Sequence, residues 1–306
     1  MKVIYFGTPD FAVKPLERII ESNHQVVAVV TQPDKPVGRK AIVTPCQVKA
    51  FALEKGLNVL SYDKVSVQGV NDLKNLNADI MVTCAYGQIL SQEVLNITKH
   101  GVINVHASLL PKYRGSSPIQ WSIINGDKVT GVTVMQTALG VDTGDILLQK
   151  QLEIGKTETA GELFERLSVL GAELIVEALN QIERGEITPV KQNDALATHV
   201  SMLKKENGRL DFSKSSESLY NLIRGLNPWP VAFTTYEGKT LKVYSASIDS
   251  RTGNAGEVIS SNGELVVACL VGSLVFNDIQ LEGSKKMTAK EFLLGRKIPV
   301  GYVLGK

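Results

Sequence analysis

Lys2-Val3-Ile4-Tyr5-Phe6-Gly7-Thr8-Pro9-Asp10-Phe11-Ala12 decides the fold. Val3–Phe6 is a short unbroken apolar run, and Gly7 stops it. Phe11–Ser22 then carries Phe11, Leu16, Ile19 and Ile20 at helical spacing, and Val26–Val30 is a second unbroken run. A continuous run, unlike an alternating one, marks a strand covered on both faces. Strand, helix and strand in turn make a βαβ unit, the element of a mostly parallel sheet. The spacing repeats outward. A helix is expected over Cys46–Lys55, strands at Asn58–Leu60 and Ala78–Cys84, a helix at Gln92–Ile97 and a strand at Val102–Val105.

Beyond residue 125 the pattern shifts. Val132–Gln136 and Asp145–Ile154 read as strands around a Gly/Asp-rich loop, placed at one side of the sheet. Thr159-Ala160-Gly161-Glu162 has capping-box spacing, and apolar residues recur at helical period from Leu163 to Ile182 until Gly185. Pro189–Asn207 is polar and aperiodic and reads as a linker. After a short helix at Glu217–Gly225, Asn227-Pro228-Trp229-Pro230 breaks the chain. Short β-type runs with turn signals follow, with Asn262-Gly263 a hairpin signal, and Ala289–Leu294 forms a last helix. The fold class expected is α/β: a Rossmann-like, mostly parallel-sheet domain over 1–188, a linker over 189–207, and a small OB-like β-barrel over 208–306. Trp229 is expected in core or junction packing, because tryptophan is mostly buried.

Composition limits the function classes. The chain has 306 residues, 43% of them hydrophobic and 21% charged, which is globular composition. Lys and Arg number 33 against 31 Asp and Glu, a net charge of +2 that excludes a uniformly basic nucleic-acid coat. The balance is divided: 18 basic against 20 acidic residues over 1–188, and 15 against 11 over 189–306. Placed charges remain available for an acidic partner. Cys46, Cys84 and Cys269 are too few and too scattered for a disulfide framework or a zinc site. The apolar run near Met1 is too short for a signal peptide, and no stretch approaches a membrane span. Cytoplasmic location, a monomeric state, no membrane and no metal are the expectations.

A parallel sheet invites a dinucleotide reading, which the first turn does not support. G-x-G-x-x-G would follow the first strand, but Gly7-Thr8-Pro9-Asp10 lacks the second glycine, and Pro9 removes a backbone donor. No phosphate-binding G-x-x-x-x-G-K-[ST] occurs either. A ligand is still expected outside the carboxyl ends of the strands.

The stretch Asn104-Val105-His106 ends one such strand. Alternation puts Asn104 and His106 on one face. An amide and an imidazole side by side have no packing reason there, and both are costly if buried without partners. Asn104 can donate to a developing oxyanion, and His106 can donate or carry charge near neutral pH. In Gly140-Val141-Asp142-Thr143-Gly144-Asp145, glycines around an acid make a turn that pushes a carboxylate towards a site. Asp142 can orient His106 or take a proton from an amine. Asp145, His24, His100 and His199 read as structural, and no spacing supports a metal site.

Asn104-x-His106-x-Ser108-Leu109-Leu110-Pro111, with Asp142-Thr143-Gly144-Asp145, resembles the 10-formyltetrahydrofolate-dependent formyltransferases. Phe6–Ala12, Thr31–Lys40 and Gly225–Pro230 extend the resemblance to the branch acting on methionyl initiator tRNA. The resemblance implies an enzyme that moves the formyl group of 10-formyltetrahydrofolate onto the methionyl α-amino group for translation initiation. It implies Asn104, His106 and Asp142 as the catalytic trio. It implies that Ser108, Leu109, Leu110 and Pro111, and the backbone near Tyr86, Gly87, Gln88, Ile89 and Leu90, flank the folate pocket. The loop Gln32–Ala41 carries Lys35, Arg39 and Lys40, and the resemblance makes it the part that meets the tRNA acceptor stem, Arg39 foremost. Lys204, Lys205 and Arg209 can track phosphate. The trio alone leaves another acceptor open: the amine of an amino-sugar nucleotide or of a purine precursor.

Overall fold

The structure is a computed structural model that describes residues 1–38 and 41–305. In chain order its elements begin with β1 (Lys2–Gly7), α1 (Val13–Ile20), β2 (Gln25–Thr31), β3 (Lys35–Val37), β4 (Ile42–Thr44), α2 (Gln47–Glu54) and β5 (Val59–Ser61). They continue with α3 (Val65–Gln68), α4 (Val70–Asn75), β6 (Ile80–Cys84), α5 (Gln92–Leu95), β7 (Val102–His106), β8 (Arg114–Gly115) and α6 (Pro118–Ile124). Then come β9 (Val129–Gln136), β10 (Ile146–Glu153), α7 (Ala160–Arg184), β11 (His199–Val200), α8 (Ser216–Gly225), β12 (Ala232–Tyr236) and β13 (Lys239–Asp249). The last are β14 (Val258–Ser260), β15 (Leu265–Ala268), β16 (Ser273–Leu281), β17 (Met287–Thr288) and α9 (Ala289–Gly295). They fall into two compact units. One comprises Met1–Gly115, Val129–Glu153 and Phe164–Val200, the other Ser116–Lys128, Ile154–Leu163 and Ser201–Lys306.

The first unit is built on a seven-stranded sheet in the order β10-β9-β7-β6-β1-β2-β5. β5, β2, β1, β6 and β7 run parallel, and β9 and β10 complete one side antiparallel, β9 to β7 and β10 to β9. The parallel-dominated, Rossmann-like layer is what the unbroken apolar runs required. Val3, Ile4, Tyr5 and Phe6 of β1 are all fully buried, and so are Leu16 and Ile19 on the inner stripe of α1. β1 ends in glycine for a steric reason: a Cβ on Gly7 would sit 2.8 Å from Ala12 Cβ and 3.2 Å from Cys84 O. Gly171 of α7 lies against Val105 and Val132, so that helix covers one face of β7 and β9. The pleat then directs Asn104 and His106 to the opposite face.

Three features of this unit are absent from the apolar pattern. β3 and β4 pair as an antiparallel hairpin, with Lys35 opposite Thr44. The short helices α3 and α4 occupy the stretch between β5 and β6. Residues 190–200 pack into the unit: Val190 bridges Ile146, and His199 and Val200 pair in parallel with Arg114 and Gly115.

The second unit is a curled antiparallel sheet in the order β12-β13-β16-β15-β14, with β17 on β16, consistent with an OB-like barrel. Leu219 and Ile223 of α8, Leu241, Val267 and Phe276 of the strands, and Phe292 of α9 share its core. The helix starts are closed locally. Ser215 accepts from Ser218 N at 3.2 Å, and Thr288 and Glu291 form a reciprocal capping box at 3.2 and 2.9 Å. The Thr159/Glu162 spacing noted in the sequence is likewise a reciprocal cap. Trp229 departs from expectation: it is 56% exposed rather than in the core. Leu226, Pro230 and Val231 turn inward around it and take the buried positions, leaving the indole outside. No helix among the described residues is long and apolar enough to cross a membrane.

Candidate functional site

β6 and β7 run side by side with Thr83 opposite Asn104. The Thr83 hydroxyl donates to Asn104 Oδ1 at 2.8 Å and lies 3.3 Å from Ile103 O. Because Oδ1 accepts from Thr83, the amide presents Nδ2 to the space over β7 as a donor. The hydroxyl anchors that amide across the two strands.

Two residues on, His106 has a side chain only 7% exposed. Its Nε2 lies 2.9 Å from the carbonyl of Tyr113, an acceptor, so that nitrogen carries a proton and donates. Nδ1 faces the other way and sits 3.6 Å from Asp142 Oδ2. That separation is an ion-pair distance, longer than a hydrogen bond. The segment after β7 folds back on itself to supply the Tyr113 carbonyl. Thr133 holds this segment: its hydroxyl donates to Ser108 O at 2.6 Å and accepts from Leu110 N at 3.1 Å, while Gln149 Nε2 donates to Leu110 O at 2.8 Å. Ser108 Oγ donates to Lys112 O at 2.7 Å, so Ser108 is spent on the loop.

Asp142 stands in the left-handed region at φ 53°, with a side chain 14% exposed. Its Oδ2 accepts from Gly115 N at 2.7 Å. Gly144 is needed beside it, since a Cβ there would run into the carbonyl of Gln136. The sequence did not single out what holds the backbone of this turn. Gln192 Nε2 donates to Asp142 O and to Gly144 O, both at 2.8 Å, and Arg114 holds the other end of the same amide. Thr83, Arg114 and Gln192 were missed because a Thr in an apolar strand, an Arg in a polar loop and a Gln in an aperiodic stretch carry no local signal.

The remaining expected positions fall in several places. Tyr86 is buried and its ring meets Phe6 edge-on at 5.2 Å. Burial pushes its phenol up to about 12, which keeps it neutral. Gln88 is spent on structure, accepting from Val65 N at 2.9 Å and donating to Tyr62 O at 2.8 Å. Gly87 is at φ 83°, Leu90 is buried, and Ile89 is 76% exposed. Leu110 is buried, whereas Leu109 and Pro111 are half-buried. Cys84 is buried, and desolvation pushes its thiol up to about 12, so it is no thiolate nucleophile. Lys35 is exposed at the start of the β3–β4 hairpin, while Arg39 and Lys40 lie outside the described residues. In the second unit Lys204, Lys205 and Arg209 are exposed, and Arg209 Nη2 reaches Gly305 O at 3.4 Å. No group of three His, Cys, Asp or Glu among the described residues is placed to hold a metal ion.

A cavity of about 960 Å³ opens at the amino end of β7, lined by Gln92, Leu95, Val102, Gln136, Thr137 and Gly140 among others. It shares the Thr137–Gly140 stretch with the Asp142 turn but is not lined by Asn104, His106 or Asp142. An amide on β7, the His106 imidazole two residues on and the Asp142 carboxylate 3.6 Å from it form a group of chemically versatile side chains. The arrangement suits stabilising a developing oxyanion while a proton leaves an attacking nucleophile.

Comparison with known proteins agrees with that chemistry. A family model described as formyl transferase matches residues 1–179, and one described as formyl transferase, C-terminal domain, matches residues 202–297. A methionyl-tRNA formyltransferase of Lachnospira eligens is 46% identical over 315 residues, covering 100% of both chains. One of Geobacter metallireducens is 46% identical over 307 residues, covering 100% of this chain and 99% of the other. Among solved structures, an N-formyltransferase from Helicobacter canadensis in complex with folinic acid and dTDP-3-aminofucose matches with TM-score 0.69 at 19% identity. The match covers 94% of this chain and 100% of that one. HypX from Aquifex aeolicus with tetrahydrofolic acid matches with TM-score 0.63 at 16% identity, over 96% of this chain and 47% of that one.

Proposed function

The chain belongs to the formyl transferase family, and from that premise we propose how its residues work. The enzyme is a methionyl-tRNA formyltransferase in activity. It moves a formyl group from a folate-type donor to methionyl-tRNA, and the donor proposed is 10-formyltetrahydrofolate. The α-amino group of methionine on initiator tRNA attacks the formyl carbon. A C–N bond forms, the bond from that carbon to the folate nitrogen breaks, and the proton lost by the amine ends on the folate nitrogen. The products are tetrahydrofolate and N-formylmethionyl-tRNA for translation initiation.

The observation carrying this reading is the trio geometry. Charge grows on the formyl oxygen in the transition state, and a preorganised donor there is worth most in a site that excludes water. Asn104 Nδ2, already oriented by Thr83, is that donor. His106, anchored through Nε2, brings Nδ1 to the same oxygen or to Asp142. Asp142 steadies the imidazolium and receives the amine proton, directly or through water. No covalent intermediate on the enzyme is needed. The folate is proposed to lie between Tyr86, Gly87, Gln88, Ile89 and Leu90 on one side and Ser108, Leu109, Leu110 and Pro111 on the other. The exposed Ile89 supports this, being the apolar side chain of that loop available to a flat ring.

Residues 1–188 are proposed as the catalytic domain, 189–207 as the linker, with 190–200 of it packed into the first unit, and 208–306 as the domain assisting tRNA binding. Lys35, Arg39, Lys40, Lys204, Lys205 and Arg209 are the proposed phosphate contacts. The proposed setting is the cytoplasm, and the proposed form is a monomer. The deciding assay offers 10-formyltetrahydrofolate with charged initiator tRNA in one arm and an amino-sugar nucleotide in the other. Formylation of the sugar alone overturns the tRNA assignment.

Two substitutions probe this reading. Thr83→Val keeps the side-chain shape and removes the hydroxyl that orients Asn104. A net hydrogen bond of about 1.4 kcal/mol predicts a fall in kcat of about tenfold with both KM values unchanged. An unaltered kcat means the amide is aimed by something else. Arg39→Ala removes one charge from a short basic loop. Its kcat/KM for tRNA is expected to fall about tenfold, as for loss of one charged contact, with a shallower salt dependence. Folate binding is expected to be preserved. An equal loss in folate affinity would show that the loop is misassigned.

A further inference from the structure

We infer that Gln192, oriented by Arg114, is a positioning residue for Asp142, setting where its carboxylate stands against His106. The inference rests on the reading of Asp142 as part of the reaction centre. Gln192 touches neither His106 nor Asn104 in any hydrogen bond. Its amide is used in full at both ends. The two Nε2 protons go to Asp142 O and Gly144 O, each at 2.8 Å. Oε1 accepts from Arg114 Nε at 3.0 Å and Arg114 Nη2 at 2.8 Å. Chemistry settles which end is which. Turned over, the amide would set its oxygen against two carbonyls and its NH₂ against a guanidinium.

Arg114 is well suited to the task. Its side chain is 5% exposed, and Nη2 also meets Asp194 Oδ1 at 2.7 Å. The guanidinium fork fits one oxygen through two N–H groups in a plane, which a lysine cannot do. Arg114 belongs to the two-residue strand whose other member, Gly115, gives its N–H to Asp142 Oδ2. That strand is held by β11, with Arg114 N donating to Thr198 O at 2.8 Å. One strand thus holds the aspartate twice: Gly115 by the carboxylate and Arg114, through Gln192, by the backbone. A second hold is needed for a physical reason. Asp142 sits at φ 53°, a conformation a non-glycine residue adopts at a cost, and the turn has glycine at both ends of the stretch 140–144. The carboxylate anchor alone leaves that turn hinged about its side chain.

The test is Gln192→Glu beside Gln192→Ala. A carboxylate at that position pairs with Arg114 and keeps the protein folded, but it cannot donate to two carbonyls and repels them. Gln192→Glu is expected to lower kcat for methionyl-tRNA about 10–100-fold, as much as Gln192→Ala or more, with both KM values within about twofold of the parent. The melting temperature is expected to stay within a few degrees. In an Asp142→Ala background the same substitution is expected to cost less than about twofold, because its route to the reaction is already cut. Parent-like kcat in Gln192→Glu, rescue by Glu of the loss seen with Ala, or a full additive loss in the Asp142→Ala background each overturns the inference. The parent enzyme and His106→Ala are run in the same assay. If the parent fails to formylate methionyl-tRNA, or His106→Ala matches it, the functional reading fails; if only Gln192→Glu is silent, the positioning role fails.

Discussion

His106→Ala is expected to reduce kcat by about a thousandfold or more and to leave tRNA affinity within about twofold of the parent. General acid–base participation is worth about 10²–10⁴ and an oxyanion donor about 10²–10³, and His106 Nδ1 is placed for either role. The imidazole is 7% exposed and packed beneath the segment that ends at Gly115, so it is not part of the solvent-facing surface that would hold a tRNA phosphate. Folding survives the change. One hydrogen bond to Tyr113 O is lost at a net cost of about 1 kcal/mol, and the small void adds about as much again. Single-turnover formylation measures the first quantity and filter binding of methionyl-tRNA the second. An unchanged turnover ends the assignment of His106.

Asp142→Asn is expected to cost about 10²–10³ in kcat, and it separates charge from geometry. Asparagine tolerates the left-handed conformation at φ 53°, and its Oδ1 still accepts from Gly115 N. The turn and its Gln192 contacts therefore persist, while the negative charge beside His106 Nδ1 is gone. Both KM values are expected to stay within about threefold, since the missing interaction serves the transition state rather than ground-state binding. A kcat within a factor of ten of the parent would show that the carboxylate positions but does not carry the proton. Together the two substitutions test whether imidazole and carboxylate act as a unit, because the double variant should cost little more than the worse single one.

The parts of the site that were legible lie on one element each. Asn104 and His106 stand out because the period-2 pleat of a single strand sets them on one face, and polar groups inside an apolar run are conspicuous. Asp142 stands out through its flanking glycines. Thr83 was invisible because its importance comes from lying opposite Asn104 across two parallel strands, a register that no local pattern records. Gln192 was invisible because its stretch is polar and aperiodic, the pattern that suggested a linker, yet 190–200 pack into the first unit through β11 and Val190. The β3–β4 hairpin was missed because its strands are three residues each, and Lys35, Pro36 and all of β4 are exposed, so burial leaves no mark. Trp229 misled because burial averages describe a residue type, whereas its neighbours Leu226, Pro230 and Val231 had already filled the inward positions.

By itself the sequence determined the layered class of both units, the strand carrying the amide and imidazole, and the glycine-bounded acid. Hydrophobic period and turn chemistry are short-range codes, and they act within about a dozen residues. Tertiary structure alone decided that Asn104 meets Thr83, that His106 is anchored through Nε2 with Nδ1 towards Asp142, and that Asp142 is held by groups 27 and 50 residues away along the chain. Those outcomes depend on which hydrogen-bond partners are brought to 2.7–2.9 Å by sheet register and by the return of 190–200. Such distances are set by the packing of whole elements.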